Sequence, residues 1–311
     1  MNRLQRGLTH CLGDMIVSAL KDPEVIEVIA NSDGRIWIDR ISHPMVCAGT
    51  MDESEVARVV SLVASDLEQI VDRDHPFVEG ELPLDGSRFT GVMPPAAARA
   101  AFSIRKKAGR IFTLDDYVSA DILDPVHAAV IRSAVQDRKN ILVVGGTGSG
   151  KTTLVNAILQ EIAHSCPNDR LVIIEDTSEL QCSSANFESL HTSAAMGIQA
   201  LVRLTMRLRP DRIIVGEVRG GEALDLLKSW NTGHPGGVCT VHANSAWGGL
   251  LRLEQLIAEA STSPIPVLIG EAVDLVLFIE RTRTGRRVSE VATVSGFDHQ
   301  TCTYIMESIN A

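Results

Sequence analysis

The chain has 311 residues, 45% of them hydrophobic, and a formal net charge of −10 at pH 7. That length suits two domains, and that apolar content supports a buried core rather than disorder. The acidic excess argues against a protein that coats nucleic acid, and no run reaches the ~18 apolar residues of a membrane-spanning helix, so any membrane association is expected to be peripheral.

From the N-terminus, Leu8 to Leu20 reads as a short amphipathic helix stopped by Asp22-Pro23, with Gly13 and Asp14 interrupting the apolar stretch that a signal peptide needs. Val25 to Ala30 and Arg35 to Asp39 flank Asn31-Ser32-Asp33-Gly34, the pattern of a β-hairpin. Asp52, with Glu55 three residues on, opens a helix whose apolar positions Val56, Val59, Val63, Leu67 and Ile70 share one face. Phe77 to Leu82, Arg88 to Met93 and Ala101 to Arg105 read as short strands. Residues 1–108 thus make a small α+β domain, and 109–124, with Gly109 and the Thr113 to Asp116 cluster, a linker or hinge. Arg88 and Arg105 flank apolar strand residues; each is either a rim arginine or a guanidinium that reaches a phosphate held elsewhere.

Pro125 opens a helix to about Arg138, and from Asn140 strands and helices alternate. The strands are Ile141 to Val144, Leu171 to Ile174, Arg212 to Val215 and Val238 to Val241. The helices are Thr152 to Ile162, Gly197 to Leu208, Glu222 to Trp230 and Ser245 to Ala260. Such alternation predicts a mostly parallel sheet with helices on both faces over 125–311. Val273 to Ile279 and Val288 to Phe297, joined across Thr284-Gly285, read as antiparallel strands that extend or flank it. Six separate cysteines fit a reducing compartment and form no zinc-binding pair.

The stretch Val143 to Thr153, VVGGTGSGKTT, fits the phosphate-loop pattern G-x-x-x-x-G-K-[ST] between a buried strand and a helix. Gly145, Gly146, Thr147, Gly148, Ser149 and Gly150 let backbone N–H groups surround a phosphate, and the following helix adds its positive N-terminus. Lys151 supplies a charge to the β- and γ-phosphates of ATP, the Thr152 hydroxyl is of the kind that ligates Mg²⁺, and Thr153 completes the loop. Three clusters fall at strand ends, where open parallel sheets place ligands: Glu175-Asp176, Gly216-Glu217, and His234 with His242. Glu217 is placed to act on Mg²⁺ through water or to orient the nucleophile, with Glu175 the competing candidate for polarising that water. An imidazole at His242 can report the γ-phosphate, whereas His234 is equally consistent with a structural role. Arg203, Arg207, Arg209 and Arg212 read as a solvated basic face or as ion pairs across an oligomer interface.

In order and spacing these clusters resemble the secretion-superfamily traffic ATPases of type II and type IV secretion, pilus retraction and conjugation. Leu171 to Leu180 is similar to that family's Asp box, Ile213 to Arg219 to its atypical Walker B, and Gly233 to Asn244 to its His box. Ser87-Arg88-Phe89, Ala101 to Lys106 and Phe112 to Tyr117 look most like the conjugal-transfer, TrbB-type branch. The resemblance implies a RecA-like P-loop domain behind a small N-terminal domain, a homohexameric ring, and ATP hydrolysis with Mg²⁺. By motif it makes Glu217 the Walker B acid, Glu175 the Asp-box acid, His242 the second His-box histidine, and Arg88 and Arg105 the arginines that approach the phosphates. The expected partners are inner-membrane conjugation or type IV secretion components, reached from the cytoplasm. The alternatives are a DNA-translocating ATPase, against which charge and scarce aromatics count, and a nucleotide-gated ring scaffold with incidental hydrolysis.

Overall fold

A computed structural model describes residues 3–40, 43–107, 111–193, 195–261, 265–283 and 285–310. The chain divides into two compact units, residues 1–110 with 177–179, and residues 111–176 with 180–311.

The first unit runs α1 (Arg3–Lys21), β1 (Val25–Ala30), β2 (Arg35–Arg40), β3 (His43–Thr50), α2 (Glu53–Asp66), β4 (Phe77–Glu81), β5 (Arg88–Val92) and β6 (Ala101–Arg105). Its sheet has the order β3-β2-β1-β6-β5-β4, with every pairing antiparallel. Alternate residues such as Val28, Ile36, Ile38, Phe89 and Ile104 are buried. They share a core with Leu8, Leu12 and Ile16 of α1 and with Val56, Val59 and Val63 of α2.

Three features of this unit depart from the sequence reading. Helix α1 extends one turn further towards the N-terminus than Leu8 and is kinked at Gly13. Helix α2 stops at Asp66, so Ile70, expected on its apolar face, is instead 72% exposed; Glu68 turns the chain with a φ of 55°. Strand β3 has no counterpart in the sequence reading, because it is an edge strand with Pro44 and no buried alternation to betray it.

The second unit contains α3 (Leu114–Ser119), α4 (Pro125–Gln136), β7 (Ile141–Val144), α5 (Lys151–Ser165), β8 (Leu171–Glu175), β9 (Phe187–His191), α6 (Ile198–Thr205) and β10 (Arg212–Val215). It continues with α7 (Glu222–Asn231), β11 (Val238–Val241), α8 (Ala246–Ala258), α9 (Pro266–Ala272), β12 (Leu275–Arg281), β13 (Arg286–Asp298) and β14 (Thr303–Ser308). The sheet order is β14-β13-β12-β7-β11-β10-β8-β9. From β12 through β7, β11, β10 and β8 to β9 every pairing is parallel, while β13 and β14 run antiparallel at the other end. Every residue of β7, β8, β10 and β11 is buried, as expected of strands covered on both faces. All four end on the same edge of the sheet.

Within 109–124, the stretch read from sequence as a linker, residues 109 and 110 lie outside the described residues, and the rest contains α3. Its N-cap is a capping box between Thr113 and Asp116, and Leu114, Tyr117 and Leu123 are buried in the core of this unit. The exposed edge strands β9 and β14 and the seven-residue helix α9 were not read from the sequence either; Thr284, at the expected β12–β13 turn, lies outside the described residues. No helix among the described residues is long and apolar enough to cross a membrane.

The edge of the sheet where the parallel strands begin is pinned by buried polar groups. Arg212, the first residue of β10, is 1% exposed and is not part of a basic face as the sequence suggested. Its Nε donates to Asp169 Oδ2 at 2.6 Å and its Nη2 to the Val135 carbonyl at 2.9 Å, while Arg138 also bonds Asp169. Of the other arginines in that cluster, Arg203 pairs with Asp225 at 3.0 Å, inside its own unit. Asn140 bonds the Ala272 carbonyl at 2.8 Å and accepts from the Gly237 N–H at 2.9 Å. Removing Asp169 would leave Arg212 charged, buried and unpaired. Asp169→Ala is therefore expected to lose about 3–5 kcal/mol of stability. Arg203→Ala, at an exposed pair, should change stability by less than about 1 kcal/mol. Denaturant midpoints of the two variants measure the contrast.

Candidate functional site

The loop that follows β7 is shaped by close approach. A Cβ on Gly145 would lie 2.3 Å from the Ile279 carbonyl and 2.5 Å from Ser149 Oγ, so only glycine fits there. Gly150 caps α5 at φ 103°, a left-handed conformation that turns the chain into the helix at Lys151. Nothing lies within 4 Å of a Cβ placed on Gly146 or Gly148, and Ser149 Oγ is buried with no hydrogen-bond partner among the described residues. Thr147 is exposed, whereas Thr152 and Thr153 sit half-buried in the first turn of α5.

Lys151 is buried, and its ammonium is held by neighbouring acceptors. Nζ donates to the Gly145 carbonyl at 2.9 Å and to the Gly146 carbonyl at 3.1 Å, and it lies 3.2 Å from His242 Nδ1. A lysine ammonium only donates, so Nδ1 of His242 accepts and the ring proton resides on Nε2. That nitrogen is 2.5 Å from Glu217 Oε1. The His242 pKa is lowered, first by burial and next by the Lys151 charge, against the opposing pull of Glu217. His242 is therefore a neutral bridge between a cation and an acid.

The chain of contacts continues beyond Glu217. Arg219 holds Glu217 Oε2 through Nη2 at 2.7 Å and Nε at 3.0 Å, and its Nη1 reaches Asp176 Oδ2 at 3.1 Å. Asp176 also accepts from Thr192 Oγ1 at 3.2 Å. Glu175, the last residue of β8, is 4% exposed and its Oε1 accepts from the Leu180 N–H at 2.8 Å. The absence of a side chain at Gly216 makes room for it, since a Cβ there would lie 3.2 Å from Glu175 Cγ.

Of the residues singled out in the sequence, Lys151, His242 and Glu217 are thus brought together, with Glu175 at the end of a neighbouring strand. Arg219 and Asp176 join them without having been assigned roles in advance. Their signal was the i, i+2 spacing of Glu217 and Arg219 after a strand and the second carboxylate of Glu175-Asp176. His234 does not belong to this group. Its Nδ1 donates to the Pro210 carbonyl at 2.9 Å, and both residues precede their strands, on the opposite edge of the sheet.

Arg88 and Arg105 lie in the first unit, directly opposite one another in the β5–β6 register. Arg88 pairs with Glu79 and, at 3.3 Å, with Glu179. Burial pulls the Arg88 pKa down, but these carboxylates outweigh it and leave it raised. Arg105 is exposed.

No group of three or more His, Cys, Asp or Glu side chains suited to a metal occurs among the described residues. The donor set that is present, a hydroxyl at Thr152, a carboxylate at Glu217 and an open glycine loop, suits Mg²⁺. That ion keeps most of its ligands as water and phosphate oxygens and takes one or two from protein.

The chain is similar to known proteins over most of its length. Residues 12–301 match the family model described as Type II/IV secretion system protein. The conjugal transfer protein TrbB of Rhizobium radiobacter is 52% identical over 295 residues, which cover 95% of this chain and 91% of that protein. The VirB11 ATPase of the Brucella suis type IV secretion system superposes with a TM-score of 0.50 at 27% identity, over 93% of this chain and 95% of that structure. The pilus retraction motor PilT shares the fold with a TM-score of 0.66 at 18% identity, over 95% of this chain and 82% of that one. The chain belongs to the type II/IV secretion system protein family, as a relative of its conjugal-transfer, TrbB-type members.

Proposed function

We propose that this protein is an ATPase motor that hydrolyses ATP, with Mg²⁺, to power conjugal transfer or type IV secretion. The observation that carries the reading is the contact chain from Lys151 through His242 to Glu217, built at one edge of the parallel sheet beside a glycine-rich loop. Bound phosphates would take over the Lys151 donors now spent on Gly145 and Gly146 carbonyls, and the loop N–H groups and the N-terminus of α5 would complete the cradle. Mg²⁺, held by the Thr152 hydroxyl and through water by Glu217, would neutralise charge on the phosphate oxygens.

Glu217 and Glu175 then divide the acid chemistry. Glu217, in contact with His242 and Arg219, is the group that senses what Lys151 holds; Glu175, buried and steadied by the Leu180 N–H, is the alternative for orienting water. His242 would exchange its Lys151 contact for a phosphate oxygen and pass the change to Glu217. Arg88 and Arg105 are proposed to approach the phosphates, Arg88 being released for that task from Glu79 and Glu179. In this reading the chain works as a homohexamer with inner-membrane secretion components, through protein contacts and from the cytoplasmic side; the family and the relatives support the role in secretion.

Three outcomes are expected. Lys151→Ala should abolish ATP binding, while Glu217→Gln should keep binding and lower turnover by about 10²-fold or more; phosphate release and nucleotide titration measure both. Wild type should run as a hexamer by solution mass, and Arg88→Ala should lower kcat while the hexamer persists; a monomer with unchanged kcat would remove the arginine's role. By NMR of the ring C–H signal, His242 should titrate below the ordinary histidine value of about 6.5. The unfolded chain protonates first, so the His242 contribution to stability is complete above that value and is lost as pH falls towards the folded pKa. Lys151→Met should raise the midpoint and Glu217→Gln should lower it further.

A further inference from the structure

The sheet order divides the surroundings of the phosphate loop into two sides. The acids and His242 follow β8, β10 and β11, on one side of β7; on its other side lie β12 and β13. The hairpin between β12 and β13 carries Arg281, Arg283, Arg286 and Arg287, and none of them forms an ion pair among the described residues. Arg286, the first residue of β13, is the one that meets the loop. A Cβ placed on Gly150 would lie 2.9 Å from Arg286 Cδ and 3.2 Å from its Nε. The same guanidinium acts on the phenol of Tyr117, opposing the upward shift that burial gives that group. Tyr117 packs edge-on against Phe112, with ring centroids 6.3 Å apart. An exposed arginine stem thus lies across the closing residue of the phosphate loop, with its charge felt at the Tyr117 phenol.

With the terminal phosphate of a nucleotide facing Lys151 and Glu217 on one side of β7, Arg286 stands beside the loop on the other side. We propose that Arg286 is a further nucleotide-binding residue of this chain, its guanidinium packing on the base and ribose of the nucleotide held by the phosphate loop. The inference rests on the nucleotide-binding reading given above. A planar guanidinium suits this task, because it stacks on a purine as readily as it meets an anion. The contact is the same for ATP and ADP, since neither the γ-phosphate nor hydrolysis enters it.

The test is isothermal titration of the full chain with ATP, ADP and inorganic tripolyphosphate, for wild type, Arg286→Ala, Arg287→Ala and Lys151→Ala. Arg287 neighbours Arg286 on the opposite face of β13 and pairs in register with Glu280, so it controls for charge. Arg286→Ala is expected to weaken ATP and ADP about tenfold alike. It should leave tripolyphosphate within twofold of wild type, with an unchanged thermal midpoint, and Arg287→Ala should match wild type throughout. ADP affinity within twofold of wild type in Arg286→Ala, with Lys151→Ala still abolishing binding, would overturn this inference alone. Equal weakening of tripolyphosphate, or of ADP in Arg287→Ala, would also overturn it by reducing the effect to general charge. Failure of wild type to bind any nucleotide would overturn this inference and the reading beneath it together.

Discussion

The Lys151 ammonium is the interaction on which the site depends. It is buried, and two loop carbonyls and one imidazole nitrogen are among its acceptors. A buried cation without such acceptors would carry a large desolvation cost, so the loop conformation, the position of β11 and the protonation state of His242 are fixed jointly. Because the ammonium cannot accept, the imidazole must present its lone pair to it, which leaves the ring proton on Nε2, the nitrogen beside Glu217. A single side chain therefore sets the polarity of the whole contact chain, and any ligand that competes for the ammonium acts on all of it.

That arrangement follows from strand order more than from any one motif. Strand β7 lies between β11 and β12, so one side of the loop receives the residues that follow β8, β10 and β11, and the other receives the hairpin. The parallel strands were legible because their residues are buried on both faces and read as apolar runs, Ile141 to Val144 and Ile213 to Val215 among them. The strands at the margins were not. His43–Thr50, Phe187–His191 and Thr303–Ser308 are largely exposed and have neither an apolar run nor a clean alternation, since their pairing depends on backbone hydrogen bonds that the sequence does not encode. Ile70 erred in the other direction: its spacing suited a helix that had already ended.

The site was legible to the extent that its chemistry is carried by residue type at a strand end. Glycine spacing gave the loop, and Glu175, Glu217 and His242 could be placed from the strands before them. What spacing did not supply was partner choice. Arg219 reaches both Glu217 and Asp176, a geometry that depends on the path of the backbone after β10. Arg212 read as one more cation in a basic run, yet it is buried and held by Asp169, because a strand register decides which of several neighbouring arginines points inwards. His234 and His242 look alike in the sequence and fall on opposite edges of the sheet, separated by the length of one four-residue strand.

The buried polar groups at the beginning of the parallel strands constrain how this unit can respond to a ligand. Arg212 locks β10, while Asn140 ties the start of β7 to Gly237, just ahead of β11. With those ends anchored, the strands cannot slide lengthwise past one another without breaking charged or amide contacts in the interior. A rearrangement that begins at Lys151 is thereby confined to torsional freedom beyond residues 144, 215 and 241, where the strands give way to loops. The sheet acts as a fixed abutment, and displacement is directed outwards through the segments that carry Glu217 and His242 rather than absorbed by slippage in the core.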